Sequence, residues 1–278
     1  MWYIVKVIFL GENVEFSFWR YSATGNLFLF FDNREQKLSN LDTSLYEKWA
    51  VENKVDGLIF LENSVDERAD FHMRYLNADG REVEMCGNGA RSILHFAYHV
   101  LKIAPAEMGQ YTFSTLCSLY HGKPENLFPL QMTELSEVGA IAVDDLIPQA
   151  KSSYYLNTGV PHCVFELDDI AKIDLQKWGA KVRYDKRFEK GTNANFFRIL
   201  DKSVVEMRTY ERGVEGETQS CGTGATAVAL SMAKNLGHSS PIKVKVPGGD
   251  LEVSFKDDFS EVYLAGAVEL LGSGVVTL

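Results

Sequence analysis

The chain of 278 residues predicts an α/β (α+β) fold of two pseudo-symmetric domains. Each is expected to be a mainly antiparallel, barrel-like sheet wrapped around a central helix, with a site in the cleft between them. Three observations carry this expectation. A short signal occurs twice, as MCGNGAR at 85–91 and SCGTGAT at 220–226, about half a chain length apart. Each copy opens a run with helical character. The rest is dense in short aromatic or alternating segments, the pattern of strands, with turn residues between them. Strands this dense close into barrels or strongly curled sheets.

The N-terminal MWYIVKVIFLGENVEF is apolar, with no basic segment before it and no small-residue cleavage site after it. It reads as a first strand, not a signal peptide. Strands are expected at 15–21, 27–31, 57–62, 70–76 and 111–116, then at 162–167, 195–200, 204–210, 243–246, 251–255 and 261–266. Turns fall at Gly25-Asn26, Asp79-Gly80, Pro247-Gly248-Gly249 and Asp257-Asp258. In GARSILHFAYHVLK (89–102), Ile93, Leu94, Ala97, Val100 and Leu101 form a stripe at helical spacing. The matching GATAVALSMAKNLG (224–237) is small and apolar almost all round, as in a helix enclosed on every side. TSLYEKWAVEN (43–53) and DDIAKIDLQKWG (168–179) read as exposed helices at equivalent places in the two halves. The boundary is expected in the turn near 126–131, giving residues 1–130 around Cys86 and 131–266 around Cys221.

Hydrophobic residues make up 46% and charged residues 24%, the composition of an ordinary globular protein. A net charge of −10 without a basic patch argues against a nucleic-acid partner. No stretch is long and apolar enough for a membrane span. The four cysteines, Cys86, Cys117, Cys163 and Cys221, include no C-x-x-C pair. That disfavours a disulfide framework or zinc cage and fits a reducing cytoplasm. Cys117 and Cys163 read as small buried apolar residues.

A helix N-terminus leaves N–H groups unpaired and carries partial positive charge, so it takes up carboxylate readily. Gly87, Gly89, Gly222 and Gly224 would let a ligand approach the main chain closely. A carboxylate held there has its adjacent carbon beside the cysteine sulfur, and the same field favours thiolate. Ionising a free thiol at pH 7 costs roughly 2 kcal/mol. A partly buried helix terminus returns about 0.3–2 kcal/mol of that. Two facing thiols resist double ionisation, so one thiolate and one thiol is the expected resting pair. Such a pair can take a proton from one face of a carbon and return one to the other. A single C-G-x-G-A segment could equally be a helix–strand packing motif; two copies feeding buried helices favour chemistry.

The segments LNADGREVEMCGNGAR (76–91), PHCVFELDDI (161–170) and YERGVEGETQSCGTGA (210–225) extend the two signals. With them, the chain from about Tyr21 onward resembles the diaminopimelate epimerase family. The resemblance implies an isomerase that interconverts LL- and meso-diaminopimelate, an amino-acid substrate, without pyridoxal phosphate or metal. It also implies a homodimer, a place in lysine and peptidoglycan precursor synthesis, and C-terminal residues 267–278 that return to the first domain.

By motif position, the resemblance makes Cys86 and Cys221 the acid/base pair. Gly87 and Asn88, with Gly222 and Thr223, would donate to the carboxylate at the reacting centre, near Asn26. Asn77, Asn193 and Arg212 would hold the distal amino-acid group, Glu211 would meet the substrate ammonium, and His162 would stand beside the site. Plainer readings exist: Asn26 and Asn77 sit at turns, Arg212 could be a surface ion pair, and His162 an ordered structural residue. Val160 stands where many relatives have asparagine, Leu27 replaces an acid, and Gly57 lies where some relatives have glutamine. The alternatives are a two-cysteine racemase of histidine or glutamate, a thiol hydrolase with Cys221 as nucleophile and His162 as base, or a binding module.

Overall fold

The computed structural model describes residues 14–107, 109–132, 136–137, 139 and 141–278. The strand expected across the first thirteen residues lies outside them. The first half runs β1 (Glu15–Ala23), β2 (Asn26–Asp32), α1 (Thr43–Asn53), β3 (Gly57–Glu62), β4 (Phe71–Asn77), β5 (Glu82–Val83) and α2 (Gly87–His95), which continues as a π turn over Phe96–Val100. It closes with β6 (Tyr111–Ser114), β7 (Leu119–Gly122) and β8 (Leu130–Gln131). The second half repeats this order: β9 (Ser152–Asn157), β10 (Pro161–Glu166), α3 (Leu175–Arg183), β11 (Asn193–Asp201), β12 (Val204–Glu211), β13 (Gly216–Thr218), α4 (Gly222–Leu236), β14 (Ile242–Val246), β15 (Gly249–Phe255) and β16 (Val262–Gly266). A last strand, β17 (Val268–Thr277), follows.

The pairing repeats as well. β1–β2 and β9–β10 are antiparallel, while β2–β3 and β10–β11 are parallel across α1 and α3. β4–β6 and β12–β14 are parallel across α2 and α4, and antiparallel pairs complete each half. β8 pairs with its own counterpart β16. β17 returns to the first half, pairing antiparallel with β1 from Glu15↔Thr277 to Ala23↔Val268.

Alternation along the strands explains why each sheet takes one helix inside and one outside. Phe28 and Phe30 of β2, with Ile59 and Leu61 of β3, pack on Ile93, Leu94 and Ala97 of the α2 segment. Their neighbours Leu29, Phe31, Leu58 and Phe60 face Tyr46, Trp49 and Ala50 of α1. In the second half Val164 and Phe197 meet Val228 and Met232 of α4, while Phe165 and Phe196 meet Leu175 and Val182 of α3. Each such side chain contributes roughly 1.5–3 kcal/mol on burial. Residues Gly224–Met232 of α4 are all buried, as its apolar circumference requires.

Two expectations need correction. The helix expected over 168–179 begins only at Leu175. Asp169 accepts from the Ala171 N–H, the buried Ile170 is held in the loop, and Asp174 caps α3 by accepting from Lys177 N–H at 3.0 Å. Cys117 is exposed rather than buried, because a Thr115 N–H bond to Ser118 O at 2.9 Å closes a tight turn that throws 116–118 outward. Cys163 is buried as expected.

Candidate active site

Cys86 and Cys221 occupy equivalent positions, the extended N-cap residues of α2 (φ −137°, ψ 115°) and α4 (φ −125°, ψ 105°). Each carbonyl accepts the first helical bond, from Ala90 N–H at 2.8 Å and Ala225 N–H at 2.9 Å. Each sulfur therefore sits among free helix-start N–H groups: those of Asn88 and Gly89 at Cys86, and that of Gly224 at Cys221. Both thiols open on one cavity of about 890 Å³, within the usual range of ligand pockets. Apart from His162, Gly89 and Gly224, every residue singled out for the site lines this cavity.

On the Cys86 side, Asn88 Oδ1 accepts from Arg91 Nη2 at 2.7 Å, which leaves Nδ2 as its donor end. That Nδ2 donates to Asn26 Oδ1 at 2.6 Å, and Asn26 Nδ2 reaches Asp56 at 3.4 Å. The two asparagines are thus oriented by a chain that starts at a group able only to donate. Asn77 ends β4 opposite Gly57. A Cβ at Gly57 would lie 2.5 Å from the Tyr75 ring, so Tyr75 fills the space a larger residue there would need.

On the Cys221 side the polar chain is fully buried. Asn195 Nδ2 donates to Cys163 O and to His162 Nδ1, both at 3.0 Å, while its Oδ1 accepts from Thr209 Oγ1. His162 Nδ1 is therefore an acceptor and Nε2 carries the proton. Nε2 donates to Thr223 Oγ1 at 2.9 Å, leaving the Thr223 proton for Cys221 Sγ at 3.5 Å. Burial pulls the His162 pKa down to about 3, with Arg212 adding to the effect. A neutral imidazole one hydroxyl away from the sulfur is placed to donate, not to act as the base of a hydrolase.

Toward the far end, Asn193 Nδ2 donates to Pro161 O at 3.0 Å and its Oδ1 accepts from Arg212 N–H at 2.8 Å. Its side chain holds the loop that presents Arg212. The Arg212 guanidinium touches Lys190 O at 3.1 Å and, among the described residues, has no carboxylate partner, so the ion-pair reading fails. Val160 lines the same region. Burial raises the Glu211 carboxyl above its usual range; the Thr218 hydroxyl opposes this without an aligned bond. Thr218 and Ser220 put buried hydroxyls, unpartnered among the described residues, in the cavity wall.

The expected thiolate–thiol resting pair is not what the cavity favours without a ligand. Cys86 is only partly covered, yet the protein around it desolvates the sulfur enough to push it up to about 11. Cys221 is pushed up to about 12, by burial first and by Glu211 next. That rise remains after the helix-start N–H groups of Gly89 and Asn88 have lowered it, and it opposes ionisation by about 3 kcal/mol. Burial thus favours the protonated form of both thiols in the ligand-free cavity. The glycines also divide: a Cβ at Gly224 would lie 2.4 Å from Asn195 Oδ1, whereas one at Gly87 meets nothing closer than Leu264 at 3.8 Å. Gly224 serves protein packing; Gly87 leaves the main chain open to a ligand.

Sequence reasoning missed Asn195, Asp56, Tyr75 and Arg91. Arg91 had a signal, being the charged last residue of the first CGNGAR copy where the second has Thr226. Asn195 had none, since a strand asparagine shows its partners only once the fold brings them together.

The family model for diaminopimelate epimerase matches residues 18–108 and 154–271. A diaminopimelate epimerase of Flavobacterium psychrophilum is 38% identical over 263 residues, covering 91% of this chain and 97% of the relative. One from Aquifex aeolicus is 35% identical, covering 90% and 94%. Among solved structures, a PhzF-family phenazine biosynthesis protein of Bacillus anthracis superposes with TM-score 0.73 at 14% identity, over 95% of this chain and all of the other. A probable proline racemase from Agrobacterium radiobacter gives 0.66 at 14% identity, over 95% and 93%. These structural likenesses show a shared two-domain fold.

Proposed function

The chain belongs to the diaminopimelate epimerase family, and from that premise we propose that it interconverts LL- and meso-diaminopimelate by a two-thiol proton transfer. One observation carries this reading: Cys86 and Cys221 cap two equivalent central helices and open on the same cavity. The α-carboxylate lies at the helix starts, among donors of Gly87, Asn88, Gly222 and Thr223, near Asn26. One cysteine, ionised, takes the α-proton; the C–H electron pair stays on carbon and delocalises into the carboxylate held by both helix ends. The opposite thiol delivers its proton to the other face. Atoms balance without a cofactor, and the negative charge passes from one sulfur to the other.

Glu211 meets the substrate ammonium, whose charge relieves the cost of that buried carboxylate and of a thiolate beside it. Asn77, Asn193 and the unpaired Arg212 hold the distal amino-acid end, and His162 steadies Cys221 through Thr223. We read residues 1–130 with 267–278 as one domain and 131–266 as the other. Leu270, Leu271 and Val275 of β17 are exposed, which supports a homodimer through that strand. A mechanism that needs both thiols reduced fits the cytoplasm.

The test is exchange in deuterated water. The enzyme is incubated with LL- and meso-diaminopimelate, and separately with histidine and glutamate. Deuterium at the α-carbon of diaminopimelate is the expected result; exchange into histidine or glutamate alone would overturn the substrate assignment.

A further inference from the structure

The repeated architecture places the two thiols alike at helix starts, but their surroundings differ, and one difference is a buried cation on the Cys86 side. Arg91, further along α2 from Cys86, is fully enclosed. Its Nη2 donates to Thr24 Oγ1 and Asn88 Oδ1, both at 2.7 Å, and its Nη1 to Ala267 O at 3.4 Å. Its Nε has no partner among the described residues. Among the described residues no carboxylate pairs with it. It is packed against bare main chain, since a Cβ at Gly266 would lie 2.8 Å from Nη1. At the matching position of α4 stands Thr226, a neutral side chain bonded to Gly222 O. Among the described residues, only the Cys86 half contains a buried cation.

A guanidinium enclosed without a counter-ion is costly, and the cost is offset when negative charge forms beside it. The ionised Cys86 sulfur is such a charge, and it and Arg91 stabilise each other. Asn88 joins the two, its side chain accepting from Arg91 and its main-chain N–H favouring the ionised sulfur. Among the other groups facing the thiols, Glu211 from β12 opposes ionisation of both and weighs most on Cys221, so it acts in the same direction as Arg91. Tyr75 from β4 is kept protonated by burial, and His162 from β10 stays neutral behind Cys221.

We infer that Arg91 is a positioning residue that assigns the single negative charge of the pair to Cys86. This rests on the two-thiol reading of the site. Cys86 then takes the α-proton, forming S–H as C–H breaks, and Cys221 gives its proton to the opposite face. Before the next cycle in that direction the proton passes back from Cys86 to Cys221, a return that Arg91 favours.

The test titrates each sulfur in ligand-free enzyme, using Cys221→Ala to watch Cys86 and Cys86→Ala to watch Cys221. Iodoacetamide labelling rates are followed by peptide mass spectrometry from about pH 7 to 10, where each rate is proportional to the small thiolate fraction and so ranks the midpoints, a tenfold change in rate reading as one pH unit. The peptides separate the catalytic sulfurs from Cys117 and Cys163. Cys86 should show the lower midpoint. Arg91→Met should raise the Cys86 midpoint by about one pH unit or more and leave that of Cys221 unchanged, and Arg91→Lys should restore it. A folded Arg91→Met enzyme with an unmoved Cys86 midpoint overturns the inference, as does a rise in KM alone, which would assign Arg91 to carboxylate binding. If Arg91→Met does not fold, the two midpoints with Arg91 intact decide, and a lower value for Cys221 overturns it. The titration needs no turnover, so it reads independently of whether diaminopimelate is exchanged.

Discussion

Leu130 of β8 pairs directly with Leu264 of β16, its counterpart in the other half. The two halves meet at this pair, and Leu264 also lies under both helix starts. A Cβ at Gly222 would sit 2.6 Å from Leu264 Cδ2, and one at Gly87 would sit 3.8 Å from the same atom. One side chain thus sets the floor beneath both cysteine turns, more tightly on the Cys221 side.

That difference predicts unequal responses to a methyl group. Gly222→Ala should destabilise the ligand-free enzyme by about 1–3 kcal/mol through overpacking, whereas Gly87→Ala should fall within about 1 kcal/mol of the parent. Urea denaturation of both variants checks this. Equal losses would show that Leu264 yields freely and does not fix the helix start.

Removing either sulfur should end epimerisation. Cys86→Ala and Cys221→Ala each lose one of the two proton carriers, and neither remaining thiol can serve both faces of one carbon. Turnover is followed from each stereoisomer separately. Full activity in either variant sinks the two-base scheme.

The thiol environments also set a pH dependence. Cys86 and Cys221 are raised to about 11 and about 12 by burial, so free enzyme carries little thiolate at neutral pH. Because kcat/KM reports the free enzyme's ionisations, it should climb steadily with pH through the neutral range. The linkage to stability has the opposite sense. A thiol protonated in the fold but ionised in the unfolded chain stabilises the fold fully below pH ~9, and that contribution is lost as pH rises toward the folded values. A kcat/KM profile flat across neutrality would contradict the protonated resting pair.

The sequence makes the two central helices legible because their chemistry is local: a cysteine, two glycines and an apolar run announce a buried helix start. The strands β2 and β3 are equally plain, being apolar on both faces, as is the Phe196–Phe197 stretch of β11. SSYYLN of β9 and GET of β13 are not, since their polar residues pair by position in the fold and not by alternation. Cys117 misled because a strand-like run continues through a turn that only its Thr115–Ser118 bond reveals. The Asn195–His162–Thr223 chain was beyond reach for a similar reason: its members come from β11, β10 and α4, and their hydrogen bonds depend on tertiary placement.

That chain gives a further expectation. Asn195→Leu leaves His162 Nδ1 and Thr209 without their partners, at a stability cost of about 1–3 kcal/mol. It also frees the imidazole to change tautomer, so Thr223 no longer directs its proton to Cys221. kcat should drop with KM little changed, and nitrogen NMR of the parent should show His162 neutral with Nε2 protonated at pH 5. A protonated imidazole there would remove the donor role.

The distal end tests which substrate the cavity was built for. Among the described residues the Arg212 guanidinium has no carboxylate of its own, and Asn193 holds it through the Arg212 N–H. A bidentate ion pair with a distal substrate carboxylate is the interaction such a fork suits. Arg212→Met should therefore raise KM for diaminopimelate by roughly ten- to a hundredfold, the loss of about 1.5–3 kcal/mol from a charged hydrogen bond. kcat should fall less, because the reacting carbon lies at the helix starts. Val160→Asn adds a polar group to the same wall and should lower KM for diaminopimelate. A short amino acid such as alanine cannot reach this end, so any residual exchange on it should be indifferent to both substitutions. If Arg212→Met impairs alanine and diaminopimelate alike, the arginine acts on the cleft as a whole and the distal assignment fails.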